Sequence, residues 1–162
     1  MKYKFIYFLA FFLLMLTTGV FWGTWFTLTR SIDNFSPEEF IHIGQVIILN
    51  VALPMRFILP LTLLFMLLSL WFYADKKSTG FYMGIISFGL IILVLLITLL
   101  ILVPIDNSIK TWTAETIPPD FPNLRSRWSG FHTLRTVDSL AGFACFTWFV
   151  LTAKGHLQIN PK

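Results

Sequence analysis

Five side chains near the C-terminus are spaced to act together. Arg125, Trp128, His132, Arg135 and Ser139 recur at steps of three and four within RSRWSGFHTLRTVDSL, residues 125–140. On a helix that spacing puts them on one face, and Gly142 continues the face one turn deeper, with Ala141, Ala144 and Cys145 close by to let another helix approach. Arginine offers a planar, permanently charged fork that fits carboxylates, phosphates and phenolate-like oxygens. A face of this kind can therefore hold an anion by geometry as well as by charge.

A second set lies at a similar depth. Arg56 interrupts an otherwise apolar run, and Asp138 falls at a comparable level in the last apolar segment. Ionised groups inside hydrocarbon are costly and usually pair, so an Arg56–Asp138 ion pair is expected; Asp138 can also reach Arg135 along its own helix. Asn50, Asp106 and Asn107 complete a polar ring at this level, and Trp22 with Trp25 form an aromatic wall or, equally, an interfacial belt. The sum is a pocket with an apolar floor and a cationic rim. It suits a flat, amphipathic, weakly acidic molecule.

The elements that must position these groups are membrane spans. Four stretches, about residues 5–26, 47–73, 80–103 and 133–153, are nearly free of charge. Each reaches the ~20 residues of helix that cross a hydrocarbon core. The expected architecture is an all-α membrane protein: a bundle of four transmembrane helices forming one integral membrane domain over residues 1–162. Two lysines precede the first apolar stretch as in a secretory signal, but the stretch runs on through Phe21, Trp22, Trp25 and Phe26 with no small-x-small cleavage site, so an uncleaved helix is expected.

Lys2 and Lys4, Lys76 and Lys77, and Lys154 and Lys162 fall on one side of a four-span chain. By the positive-inside rule that side is cytoplasmic, which puts both termini inside and the chain in the cytoplasmic (inner) membrane. The other side holds Arg30, Arg56, Arg125, Arg127 and Arg135 with only Lys110, and most of the acids. Those arginines fit a shaped site or, alternatively, snorkel to lipid headgroups. The first outer loop carries SPEEF, residues 36–40, with serine as N-cap, proline in the first turn and Glu39 three residues on. A short helix is expected there, running directly into the second span, where Pro54 and Pro60 then weaken the backbone ladder. The second outer loop is longer and proline-rich, with IPPDFP at 117–122 expected to forbid helix and a short helical piece at 110–115 before it. The third span has no polar group stronger than Ser87 and Thr98, which suggests packing and lipid contact.

Several function classes are disfavoured. The formal net charge of +4 is scattered over helix ends with no basic run, so nucleic acid is not an expected partner. No HExxH, CxxC, GxSxG or glycine-rich phosphate loop is present. His156 falls on the opposite side from His42 and His132, so no metal site is expected. Cys145 is the single cysteine and forms no intrachain disulfide. A transport path lacks matching polar residues in the inner half.

With these residues assembled, the chain resembles the anthrone oxygenase-like family of small four-helix membrane proteins. The most specific part is VPIDN, residues 103–107, followed by RSRWSGFHTLRT, residues 125–136, with its W-x3-H-x2-R pattern; GVFW at 19–22 and Asn50, Pro54 and Arg56 are weaker matches, and Asp138 is not part of the pattern. The resemblance implies oxidation of an anthrone-like or quinol-like aromatic by dioxygen, with no metal or flavin cofactor. Triplet oxygen reacts poorly with neutral closed-shell molecules, so a base must first make a carbanion or phenolate and cations must hold it. On that reading His132 is the catalytic base, Arg135 and Arg127 stabilise the oxyanion, and Trp128, Arg56, Asn50, Trp22, Asp106 and Asn107 bind the substrate. The alternative is a non-catalytic membrane protein that binds lipid or a partner protein through its outer loops.

Overall fold

The computed structural model describes residues 2–153, without the side chains of Lys2 and Tyr3; the tail residues Lys154, His156 and Lys162 lie outside that range. Every regular element is helical: α1 Lys2–Thr27, α2 Pro37–Trp71, α3 Thr79–Ile97, α4 Val103–Ile109 and α5 Phe121–Ala153. A 3₁₀ turn at Thr29–Asn34 follows α1, and a π turn at Thr98–Leu102 joins α3 to α4 without a break. The result is four helical rods, each long and apolar enough to cross a membrane. Large apolar side chains such as Phe5, Leu49, Leu53, Leu100 and Leu151 cover their outward faces, as a lipid solvent requires.

Local chemistry sets the ends of the rods. Ser36 Oγ accepts from the Glu39 amide at 3.2 Å while Glu39 Oε2 accepts from the Ser36 amide at 2.8 Å, so the expected capping box forms and α2 runs unbroken from Pro37 to Trp71. Pro54 and Pro60 lie inside it. Each lacks the amide that would serve the carbonyl four residues earlier, on Asn50 and Arg56. Ser78 caps α3 by accepting from the Phe81 amide.

Three loop expectations need correction. The third rod does not stop near Val103. Its π turn shifts the ladder by one residue, the Val103 amide donates to Thr98 O, and Pro104 then sits in the first turn of α4. Residues 110–115 form turns rather than a helical piece. The fourth rod begins at Phe121, twelve residues before the expected start, because Pro122 falls in its first turn and is tolerated there.

α5 is central, packed against α3 on one side and α1 on the other, while α2 leans mainly on α1. Loss of a side chain permits close approach along this seam: a Cβ on Gly84 of α3 would come within 2.6 Å of the Phe149 ring, and one on Gly142 of α5 within 2.9 Å of Ile91. Ser87 Oγ donates to Gly142 O at 2.6 Å across the same seam. The third rod thus packs through its small and polar residues.

The bundle has two apolar clusters. At the end bearing Lys76 and Lys77, Tyr7, Leu14, Met66, Leu70, Ile91, Phe146 and Phe149 fill the space between helices. At the end bearing the arginines, Leu28, Ile32, Phe40, Ile48, Leu102, Ile109, Phe121 and Trp128 form a second one. Hydroxyls tie the helices together in the middle of the bundle: Thr17 with Thr62 at 3.1 Å, Thr18 donating to Ser139 O, and Thr136 donating to Phe21 O.

Candidate functional site

The arginine end contains a cavity of about 530 Å³. α1 contributes Phe21 and Thr24, α2 a long wall from Gly44 to Pro60, the third rod Leu95 to Lys110, and α5 Trp128, His132 and Arg135. Most of the lining is apolar. Trp128 Nε1 donates to Asp106 Oδ1 at 2.9 Å, and Arg135 donates from Nη2 to His132 Nδ1 at 2.9 Å and from Nη1 to Thr98 Oγ1 at 3.4 Å. The Arg135 guanidinium carbon lies 4.2 Å from the Phe21 ring centroid, and the Trp128 and His132 rings stand 3.9 Å apart. His132 is 6% exposed and Arg135 7%.

Arginine only donates, so Nδ1 of His132 must be the acceptor of that bond, and the neutral ring carries its proton on Nε2. Nε2 of His132 and Nε of Arg135 are both buried with no hydrogen-bond partner among the described residues. Buried donors of this kind are normally satisfied. Both residues line the apolar cavity, although neither nitrogen is itself exposed on its wall.

Position on the helices decides which expected residues reach this cavity. On α5 the spacing of three and four brings Trp128, His132, Arg135 and Ser139 to one buried face, with Arg125 at its edge. Arg125 donates to Phe35 O at 3.1 Å and lies 3.6 Å from Asp33 Oδ1, so it fastens the loop before α2 over the end of the bundle. Arg127 is one residue, about 100°, from Trp128. It is exposed, sits over the Phe131 ring at 6.0 Å and does not line the cavity, in contrast to its expected place beside the substrate.

Arg56, Asp106, Asn107 and Trp128 do line it. Asn50 and Trp22 do not. Trp22 is 42% exposed and lies against Trp25 and Phe26, whereas its neighbour Phe21 is 3% exposed and forms the wall. The expected Arg56–Asp138 ion pair is absent: the salt bridge found among the described residues is Arg125–Asp33, and Asp138 Oδ2 is buried without a partner. Asp138 is displaced by about 60° from Arg135 and 120° from His132 around α5, off the face that meets the cavity. Depth along a helix brought these residues together in the sequence; azimuth separates them.

Two contributors escaped the sequence reading. Phe21 carries no polar signal, and its wall position follows only from which side of α1 meets α5. Thr98 was a visible hydroxyl in an apolar span, and the one cue to the π turn that it opens is Pro104, six residues on.

Gln45 Nε2 donates to Ile109 O and Trp112 O, tying α2 to the end of the third rod. Phe40 meets both Phe121 and Trp128 edge-on, at 5.3 and 5.6 Å. These contacts build the roof that holds the indole of Trp128 in register with Asp106.

No curated protein and no solved structure matches this chain. The family model described as anthrone oxygenase matches residues 50–145, more than half of the 162 residues, and that stretch contains Asp106, Trp128, His132 and Arg135. With four apolar helices around the site and a match of this extent, the chain belongs to the anthrone oxygenase family.

Proposed function

We propose that this protein is a membrane oxygenase that converts an anthrone-like or quinol-like aromatic to the quinone with dioxygen. The observation that carries the reading is an apolar cavity of about 530 Å³ lined by His132 and Arg135, two residues that each keep a buried donor with no hydrogen-bond partner among the described residues. That volume lies in the usual range of small-molecule sites, about 300–1,000 Å³, and has room for three fused rings. The substrate oxygen accepts from these donors, the guanidinium stabilises the anion formed on deprotonation, and the indole of Trp128 borders the ring system. The electrons come from the substrate carbanion, so the reaction as proposed draws on no metal or flavin. The lysine end faces the cytoplasm under the positive-inside rule, and the cavity then opens toward the outer leaflet.

The test is oxygen uptake with quinone formation from a simple anthrone, using the detergent-purified full chain beside an Arg135→Leu variant of equal thermal stability. Turnover by the wild type that is lost in the variant supports the reading. Equal background rates across a panel of anthrones and quinols would remove it.

A further inference from the structure

The five charged or ionisable side chains lining the cavity are Arg56, Asp106, Lys110, His132 and Arg135. Three are permanent or near-permanent cations and take up no proton. His132 has only one nitrogen able to accept, Nδ1, and Arg135 Nη2 occupies it at 2.9 Å. Protonation there requires breaking that bond and creating a second buried cation beside the guanidinium, which low-dielectric surroundings oppose. The remaining nitrogen, Nε2, carries a proton and can only donate.

Asp106 is placed differently. It lies in the first turn of α4, directly after the π turn, and Trp128 Nε1 holds its Oδ1 at 2.9 Å. Its other oxygen has no hydrogen bond among the described residues. It is the single carboxylate lining the cavity.

We infer that Asp106 is the proton acceptor of this site and that His132 serves it as an N–H donor to the substrate oxygen. The inference takes its substrate from the oxygenase reading above. The Asp106 carboxylate removes a proton from the substrate methylene, giving a carbanion whose charge spreads onto the oxygen held by His132 and Arg135. The carbanion gives its electrons to dioxygen, which forms a carbon–oxygen bond and a peroxide anion. Asp106 returns its proton to the terminal oxygen. It then takes the second methylene proton as the O–O bond breaks; the carbon becomes a carbonyl, and the departing hydroxide leaves as water with that proton. One methylene and one dioxygen yield one carbonyl and one water.

The experiment separates proton removal from oxygenation. Exchange of the methylene protons of anthrone into deuterated buffer is followed anaerobically by NMR with the full chain in detergent, and oxygen uptake is measured aerobically on the same preparations. Binding of anthraquinone, read by quenching of tryptophan fluorescence, checks that each variant keeps its cavity. Asp106→Asn is expected to lose catalysed exchange by about 100-fold or more while still binding anthraquinone. His132→Gln, which keeps a donor and an acceptor but is not a base, is expected to retain exchange within about tenfold of the wild type and to bind anthraquinone more weakly. Exchange that survives in Asp106→Asn and vanishes in His132→Gln would overturn the inference, as would a wild type with no catalysed exchange. If the wild type exchanges and Asp106→Asn does not, yet neither consumes oxygen, the base assignment holds and the oxygenase reading fails. Should Asp106→Asn not fold, Asp106→Ala with added formate replaces it: restored exchange supports Asp106 as the acceptor, and no restoration counts against it.

Discussion

The two ends of the bundle use the same apolar alphabet for opposite purposes. At the lysine end, glycines at 84 and 142 draw α3 and α5 together and the rings of Tyr7, Phe146 and Phe149 fill what remains. At the arginine end, two prolines in α2 and a π turn in the third rod hold the walls around a cavity, and charged groups line it. Close packing stabilises a helix pair in lipid, where no hydrophobic force drives association. The lysine end is thus the clamp that lets the other end stay open. Stability and chemistry should be separable by position.

That separation can be broken most directly at Arg135. Replacement by leucine removes the donor to His132 and the buried cation beside it, and turnover should fall by about 100-fold or more with little change in thermal unfolding; a variant that instead unfolds at once would show that the guanidinium holds the bundle together. Gly84→Leu makes the complementary change. It forces a side chain against Phe149 and Leu70, and overpacking of this kind costs about 1–3 kcal/mol. The melting temperature in detergent should drop while turnover per folded molecule stays within about twofold, a smaller change than 1 kcal/mol in the barrier. A turnover loss as large as that of Arg135→Leu would mean that the two ends are coupled.

Smaller changes sharpen the comparison. Trp128→Phe keeps a ring in the roof but removes the donor to Asp106, and a loss of about tenfold in turnover is expected, near 1.4 kcal/mol. Arg127→Ala should alter turnover by less than about twofold, because a surface cation contributes little to a site it does not touch. If Arg127→Ala is as damaging as Trp128→Phe, the exposed face of α5 takes part in the chemistry and the boundary drawn here is misplaced.

Much of this was legible in the sequence because membrane spans are long, apolar and bounded by charge. The number of rods, the Ser36 cap and the common face of Trp128, His132 and Arg135 all follow from period and position. Grouping by depth was less successful. Asn50, Trp22 and Asp138 sit at levels like that of the site, yet each is turned away from it, and only the packing of α1, α2 and α5 fixes the rotation. Arg56 was expected to seek a partner because an isolated charge in hydrocarbon is costly. It lines an open cavity instead, and the cost is lower where water or an occupant can reach the group. The helical face also could not reveal the proton on His132, since that depends on which nitrogen Arg135 engages.

The π turn at Thr98–Leu102 gives the third rod one residue more than an unbroken α-helix would place there. In genetic terms it behaves as an absorbed insertion: deleting a single residue within it would return the rod to 3.6 residues per turn with all that follows still in phase, whereas turning it into α-helix at the same length would rotate all that follows by about 100°. Asp106 would then turn away from Trp128, although no residue of the site had been replaced. Two members of such a family that keep every polar residue still differ in chemistry if that one turn is π in one and α in the other.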